Sequence, residues 1–129
     1  MIFIYSTFPN KKEAKKIAEE LIRQKLAVCV NILPIDSLYF WEGKIAKSKE
    51  VAVIIKTRKA NFKKVEKFIS KNHSYKIPCI VGIPIRKVNK KYFHWLKENL
   101  KHENQEKKTA KKYPQISPSG KSPDSPAGF

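Results

Sequence analysis

The period of apolar and polar positions changes several times along the chain, and each change marks an element. Ile2, Phe3, Ile4, Tyr5, Ser6 and Thr7 make a β-branched and aromatic run closed by Phe8-Pro9-Asn10, which predicts a strand entering a turn. Asn10 is a good N-cap with Glu13 three residues on. Beyond it Ala14, Ile17, Ala18, Leu21 and Ile22 recur at helical spacing, predicting an amphipathic helix that ends near Lys25. Residues 27–33 alternate Ala27, Cys29 and Asn31 with Val28, Val30 and Ile32, the pattern of a strand inside a sheet. Residues 38–41 predict a further strand, with Pro34 and Asp36 expected to break the chain between the two. Glu42-Gly43-Lys44 predicts a turn with Gly43 at positive φ, and residues 51–57 a third run, so that these segments form an antiparallel meander.

A second helix is expected from about Asn61 to Asn72, with Phe62, Val65, Phe68 and Ile69 as its apolar stripe and Lys63, Lys64, Glu66 and Lys67 in water. Ile77, Cys79, Val81, Ile83 and Ile85 then alternate with Pro78 and Pro84. Each proline removes a backbone donor, so this is expected to be an edge strand. Asn89 is expected to cap a third helix carrying Tyr92, Phe93, Trp95, Leu96 and Leu100. From Glu103 onward Lys, Pro, Ser and Gly replace apolar periodicity, which predicts a disordered tail over residues 103–129 and one folded domain over residues 1–102. The order strand, helix, strands, helix, strand, helix predicts an α+β fold, a ferredoxin-like βαββαβ sandwich with its helices on one face.

Composition narrows the partners. The chain carries 28 Lys and Arg against 11 Asp and Glu, and residues 1–102 hold 23 of the basic and 8 of the acidic side chains, so the excess belongs to the folded part. Such a field favours anionic partners through a salt-sensitive attraction, yet the lysines are scattered, which favours the reading of a solvated surface. No stretch approaches the roughly 18 apolar residues of a membrane span. Cys29 and Cys79 sit in apolar runs as small hydrophobes, and residues 1–6 have no positive leader region, so a reducing, cytoplasmic setting is expected.

Catalytic patterns are missing. There is no Gly-x-Ser-x-Gly, Cys-x-x-Cys or helix-borne His-Glu-x-x-His, and only four glycines stand against a phosphate-cradling loop. The aromatics Tyr39 and Trp41 lack the Lys/Arg-Gly-Phe-x-Phe context of an RNA-binding sheet and are better read as packing anchors. The expectation is that the protein is not an enzyme and has no specific nucleic-acid partner.

Five strings in order carry a family resemblance: Ser6-Thr7-Phe8-Pro9; Ala27-Val28-Cys29-Val30-Asn31-Ile32; Tyr39-Phe40-Trp41-Glu42-Gly43-Lys44; Lys49-Glu50-Val51 leading to Ile55-Lys56-Thr57; and His73-Ser74-Tyr75-Lys76-Ile77-Pro78. Together, over residues 1 to about 101, they resemble the CutA family of divalent-cation tolerance proteins. The resemblance implies an extended β-hairpin, a homotrimer of PII-like architecture, and divalent metal ions at a cleft between subunits. It would bring Glu50, His73 and Ser6 to that cleft as metal ligands, with Cu(II) or another divalent cation bound weakly. Ser6 stands where many members carry Cys, which removes a soft ligand for Cu(I), and Ser6→Cys would restore it. Lys76 adds a positive charge nearby. The alternative implied by the PII likeness is a regulator binding a nucleotide or anion between subunits through Lys56 and Lys76.

Overall fold

The computed structural model describes residues 1–100, so the expectation for residues 103–129 lies outside it. Strand β1 (Ile2–Phe8) leads to helix α1 (Lys11–Arg23), strands β2 (Cys29–Trp41) and β3 (Lys44–Thr57), a single 3₁₀ turn (Lys59–Asn61), helix α2 (Phe62–Asn72), strand β4 (Ile80–Pro84) and helix α3 (Lys90–Asn99). The four strands form one antiparallel sheet in the order β2-β3-β1-β4. Each helical crossover therefore skips a strand position that a later or earlier strand fills, which is the split βαβ arrangement of the ferredoxin-like fold.

Strand phase fixes the core. Ile2, Ile4 and Phe8 of β1 and Val53 and Ile55 of β3 share one face and pack with Ala14, Ile17 and Leu21 of α1 and Val65 and Ile69 of α2. In β4 that face holds Ile80, Gly82 and Pro84. A Cβ on Gly82 would stand 2.8 Å from Cδ1 of Ile2 and 3.0 Å from the Phe62 ring, so the missing side chain is what lets those two meet the sheet. The alternating Val81 and Ile83 consequently point to the opposite face, where both are exposed.

The break expected at Pro34 and Asp36 does not occur. β2 runs unbroken through both, with Pro34 opposite Val51 and Asp36 opposite Lys49. A proline is tolerated because β2 is an edge strand, where a missing N–H can face outward without breaking a ladder bond. β3 likewise starts well before the apolar run that signals it. Glu42 (φ 49°) and Gly43 (φ 77°) form a two-residue hairpin turn with both residues at positive φ, the geometry that matches strand twist. Since β1 reaches only Val51 on β3, the hairpin beyond that point is a two-stranded arm. β4 is the other edge, as its prolines indicate, but it starts only at Ile80, after Pro78.

The helices follow their sequence signals. The Asn10 side chain accepts the Glu13 N–H at 2.8 Å. At the other end Leu26 N–H reaches Leu21 O and Lys25 N–H reaches Ile22 O, a Schellman closure with Lys25 at φ 62° where glycine is usual. The unit that begins at Lys87 contains α3, with Leu96 and Leu100 buried and Tyr92 and Trp95 5.7 Å apart. Asn89 is extended before it, but its side chain makes no capping bond.

The left-handed Lys25 gives a direct test. Lys25→Gly removes a steric penalty of about 1 kcal/mol and keeps both closing bonds, so the denaturation midpoint should rise with unchanged slope. An unchanged or lower midpoint would mean that the lysine's own contacts outweigh the strain.

Candidate functional site

The end of β1, the first turn of α1 and the segment after α2 meet in a small polar cluster. In a reciprocal capping box Glu13 would turn back to Asn10. Instead its Oε2 accepts hydrogen bonds from both the backbone N–H and the hydroxyl of Ser74, each at 3.0 Å. This ties residues 73–75 to α1.

His73 is the centre of the cluster. Its side chain is fully buried, stacked on Phe8 with ring centroids 4.4 Å apart and inclined to Tyr75 at 4.8 Å. Nε2 lies 2.7 Å from the carbonyl oxygen of Thr7. A carbonyl only accepts, so Nε2 carries the hydrogen, and this leaves Nδ1 to accept the Tyr75 N–H at 3.0 Å. Both ring nitrogens are thereby committed within the chain, with the Glu13 carboxylate 3.6 Å from Nδ1.

Tyr75 carries the connection onward. Its hydroxyl donates to Glu50 at 2.7 Å, so one residue joins His73 through its backbone and Glu50 through its side chain. Burial, then the Glu50 hydrogen bond and negative charge, push the Tyr75 phenol pKa far above its ordinary value of 10.0.

Ser6 is elsewhere. Strand register puts it with Ile4 and Phe8 on the helix-covered face, opposite Val53 and Ile80, whereas Glu50 has the opposite phase of β3 from Val51 and Val53. Ser6 is wholly buried and its Oγ has no hydrogen-bond partner among the described residues. The fold thus brings Glu50 and His73 together through Tyr75, while Ser6 lies on the sheet face opposite to Glu50. No group of three or more His, Cys, Asp or Glu able to hold a metal occurs among the described residues. Cys29 is unpaired, and burial raises its thiol pKa against the opposing charge of Lys56, which makes it a poor nucleophile. Cys79 is unpaired and exposed.

Residues 2–99 match the family described as CutA1 divalent ion tolerance protein. The chain belongs to the CutA1 family. It is 46% identical over 98 residues to the divalent-cation tolerance protein CutA of Archaeoglobus fulgidus, covering 76% of this chain and 96% of that protein. It is 42% identical over 101 residues to the chloroplastic CutA 1 of Oryza sativa, covering 78% of this chain and 57% of the rice protein. The crystal structure of CutA1 from Pyrococcus horikoshii carrying D60A superposes with a TM-score of 0.76 at 38% identity, over 79% of this chain and all of that one.

Within this CutA1-family chain, sequence reasoning named Glu50 and His73 as site residues but placed neither Glu13 nor Tyr75 at the site. A signal existed for Tyr75: at two residues from a histidine, its backbone N–H can reach Nδ1 as in an Asx-type turn. Glu13 was legible only as a helix-capping residue, because the partner that diverts it lies 61 positions away.

Two variants test the geometry. Ser6→Ala removes an unpartnered hydroxyl from the core, so stability to denaturant should rise by about 1 kcal/mol; a clear loss would show that Ser6 has a partner in the working protein. Tyr75 keeps its proton in the folded state to higher pH than in the unfolded chain. Its raised pKa therefore contributes stability that is full below about pH 10 and lost as pH climbs above it. Tyr75→Phe should flatten that alkaline decline while lowering stability at pH 7, as read from melting temperature against pH.

Proposed function

We propose that the protein acts as a homotrimeric binding protein in divalent-cation tolerance, not as an enzyme, and that Glu50 is its cation-facing residue. The observation that carries this is the hairpin arm. Leu38, Phe40, Trp41 and Ile45 are 67%, 76%, 63% and 72% exposed in the single chain, and Glu50 lies at the arm's root. A two-stranded ribbon with bare aromatics is marginal in water, and copies of the same chain supply the cover. Membership of the CutA1 family supports the tolerance role.

One Glu50 oxygen is taken by Tyr75, and the carboxylate has no other hydrogen bond or ion pair among the described residues. A lone carboxylate holds a cation weakly, so further ligands come from other copies, and oxygen ligands with the usual affinity order favour Cu(II) over Zn(II). His73 then positions Tyr75 and Glu50 and does not ligate. The alternative reading is a PII-like regulator in which Lys56, in register with Phe3 on the open face, and the exposed Lys76 take a nucleotide or anion. The unpaired cysteines suit a cytoplasmic setting, although relatives are described as chloroplastic in rice and periplasmic in Archaeoglobus fulgidus.

Light scattering at micromolar concentration should give three times the chain mass, and a monomer would overturn the assembly. In calorimetry, wild type should bind Cu(II) weakly, Glu50→Gln should lose that heat, and Ser6→Cys should match wild type. Identical isotherms for wild type and Glu50→Gln would remove Glu50 from the site. Thermal shifts with nucleotides but not metals would put the PII-like reading first.

A further inference from the structure

Helix α2 carries the most one-sided charge of the three described helices. Over its 11 residues it has Lys63, Lys64, Lys67 and Lys71 against Glu66, and Lys59 precedes it in the 3₁₀ turn. By contrast α1 offsets its cations with Glu13, Glu19 and Glu20. Lys59, Lys63, Lys67 and Lys71 recur at every fourth position, which stacks them along one ridge. Each step within α2 is about 6 Å, and the whole row spans about 18 Å. All four are exposed, and none is in an ion pair among the described residues.

At the start of this row lies a groove of about 820 Å³ lined by Ile2, Ala60, Phe62 and Gly82, with Lys59 and Lys63 at its rim. Gly82 lies at its floor, where Ile2 and the half-buried Phe62 ring close onto the backbone in the space a side chain would need. Cations in a line beside an apolar, aromatic-lined niche match a ligand with regularly spaced anions and flat apolar groups. A lipid surface fits less well, because the outward positions among the lysines are Glu66, Ser70 and Asn72, with no apolar side chain to insert.

We propose that this face binds single-stranded nucleic acid, with the phosphates along Lys59, Lys63, Lys67 and Lys71 and one base in the niche against Phe62. Binding is blind to sequence, since point charges and a stacking surface read no base edge. It is strongly salt-dependent, because it is driven by release of condensed counterions.

The test uses the full chain and a fluorescent 20-residue oligothymidine, read by anisotropy between 50 and 200 mM salt. Wild type should bind at the low end and weaken steeply. Replacing the four row lysines by Gln should weaken binding more than tenfold and make the log–log salt slope shallower by about 3, near 0.7 per cation removed. A matched variant with Lys11, Lys12, Lys15 and Lys16 replaced by Gln should lose much less. Equal loss in the two variants would overturn the proposal in favour of diffuse charge, as would no binding at 50 mM. Single strand should be preferred over duplex of the same length, and Ala60→Glu, which puts a carboxylate at the niche, should abolish that preference; duplex binding equal to single-strand binding in wild type overturns the niche. Binding to vesicles with 30% phosphatidylserine that depends on the same lysines, without oligonucleotide binding, would reassign the face to membranes.

Discussion

Everything in the sheet is referred to β3. It pairs with β2 from Lys44 opposite Trp41 to Lys56 opposite Cys29, and with β1 from Val51 to Thr57. Because side chains alternate strictly, this single register decides which residues lie under the helices. A slip of one residue would place Lys56, Ile54 and Glu50 in the core and put Ile55 and Val53 in water. The Glu42-Gly43 turn pins it, since a two-residue loop with both φ positive leaves no freedom in how the strands align.

The length of that pairing has a functional consequence. The sheet is four strands wide only where β1 and β4 are present, and the arm beyond it cannot bury its aromatics within one chain. The same pairing that builds the core thus creates the apolar surface that Leu38, Phe40, Trp41 and Ile45 expose in the single chain. Glu50 sits at the boundary, one residue past the Val51 that faces the end of β1. There Tyr75 reaches it from the loop that His73 anchors.

His73 illustrates how packing commits the polar atoms of a side chain. Histidine beside a carboxylate reads as half a metal site. Here the ring is stacked on Phe8, donates to a strand-end carbonyl and accepts from the chain two residues on, so its nitrogens serve to fold the loop. What it leaves exposed to chemistry is its neighbour's work: a tyrosine held against Glu50. The Ser74 contacts to Glu13 complete the anchoring from the helix side.

Periodicity and turn residues specified the helices and the order of the strands, because burial of one face forces a period of 2 or 3.6 whatever the partner, but not where β2, β3 and β4 begin and end. α1 from Asn10, α2 to Asn72, the Gly43 turn and the edge character of β4 were all legible in that way. The two faces of the polar cluster were not. Whether Pro34 breaks a strand depends on which neighbour its missing N–H would have faced, and that is set by β2 lying at the sheet edge. Ser6, two residues from Ile4 and Phe8, inherits their inward direction only once β1 is known to lie between β3 and β4. Which partner His73 takes was likewise beyond the sequence, since Thr7 is 66 positions away and only the packing of α2 beside the end of β1 brings its carbonyl to the ring.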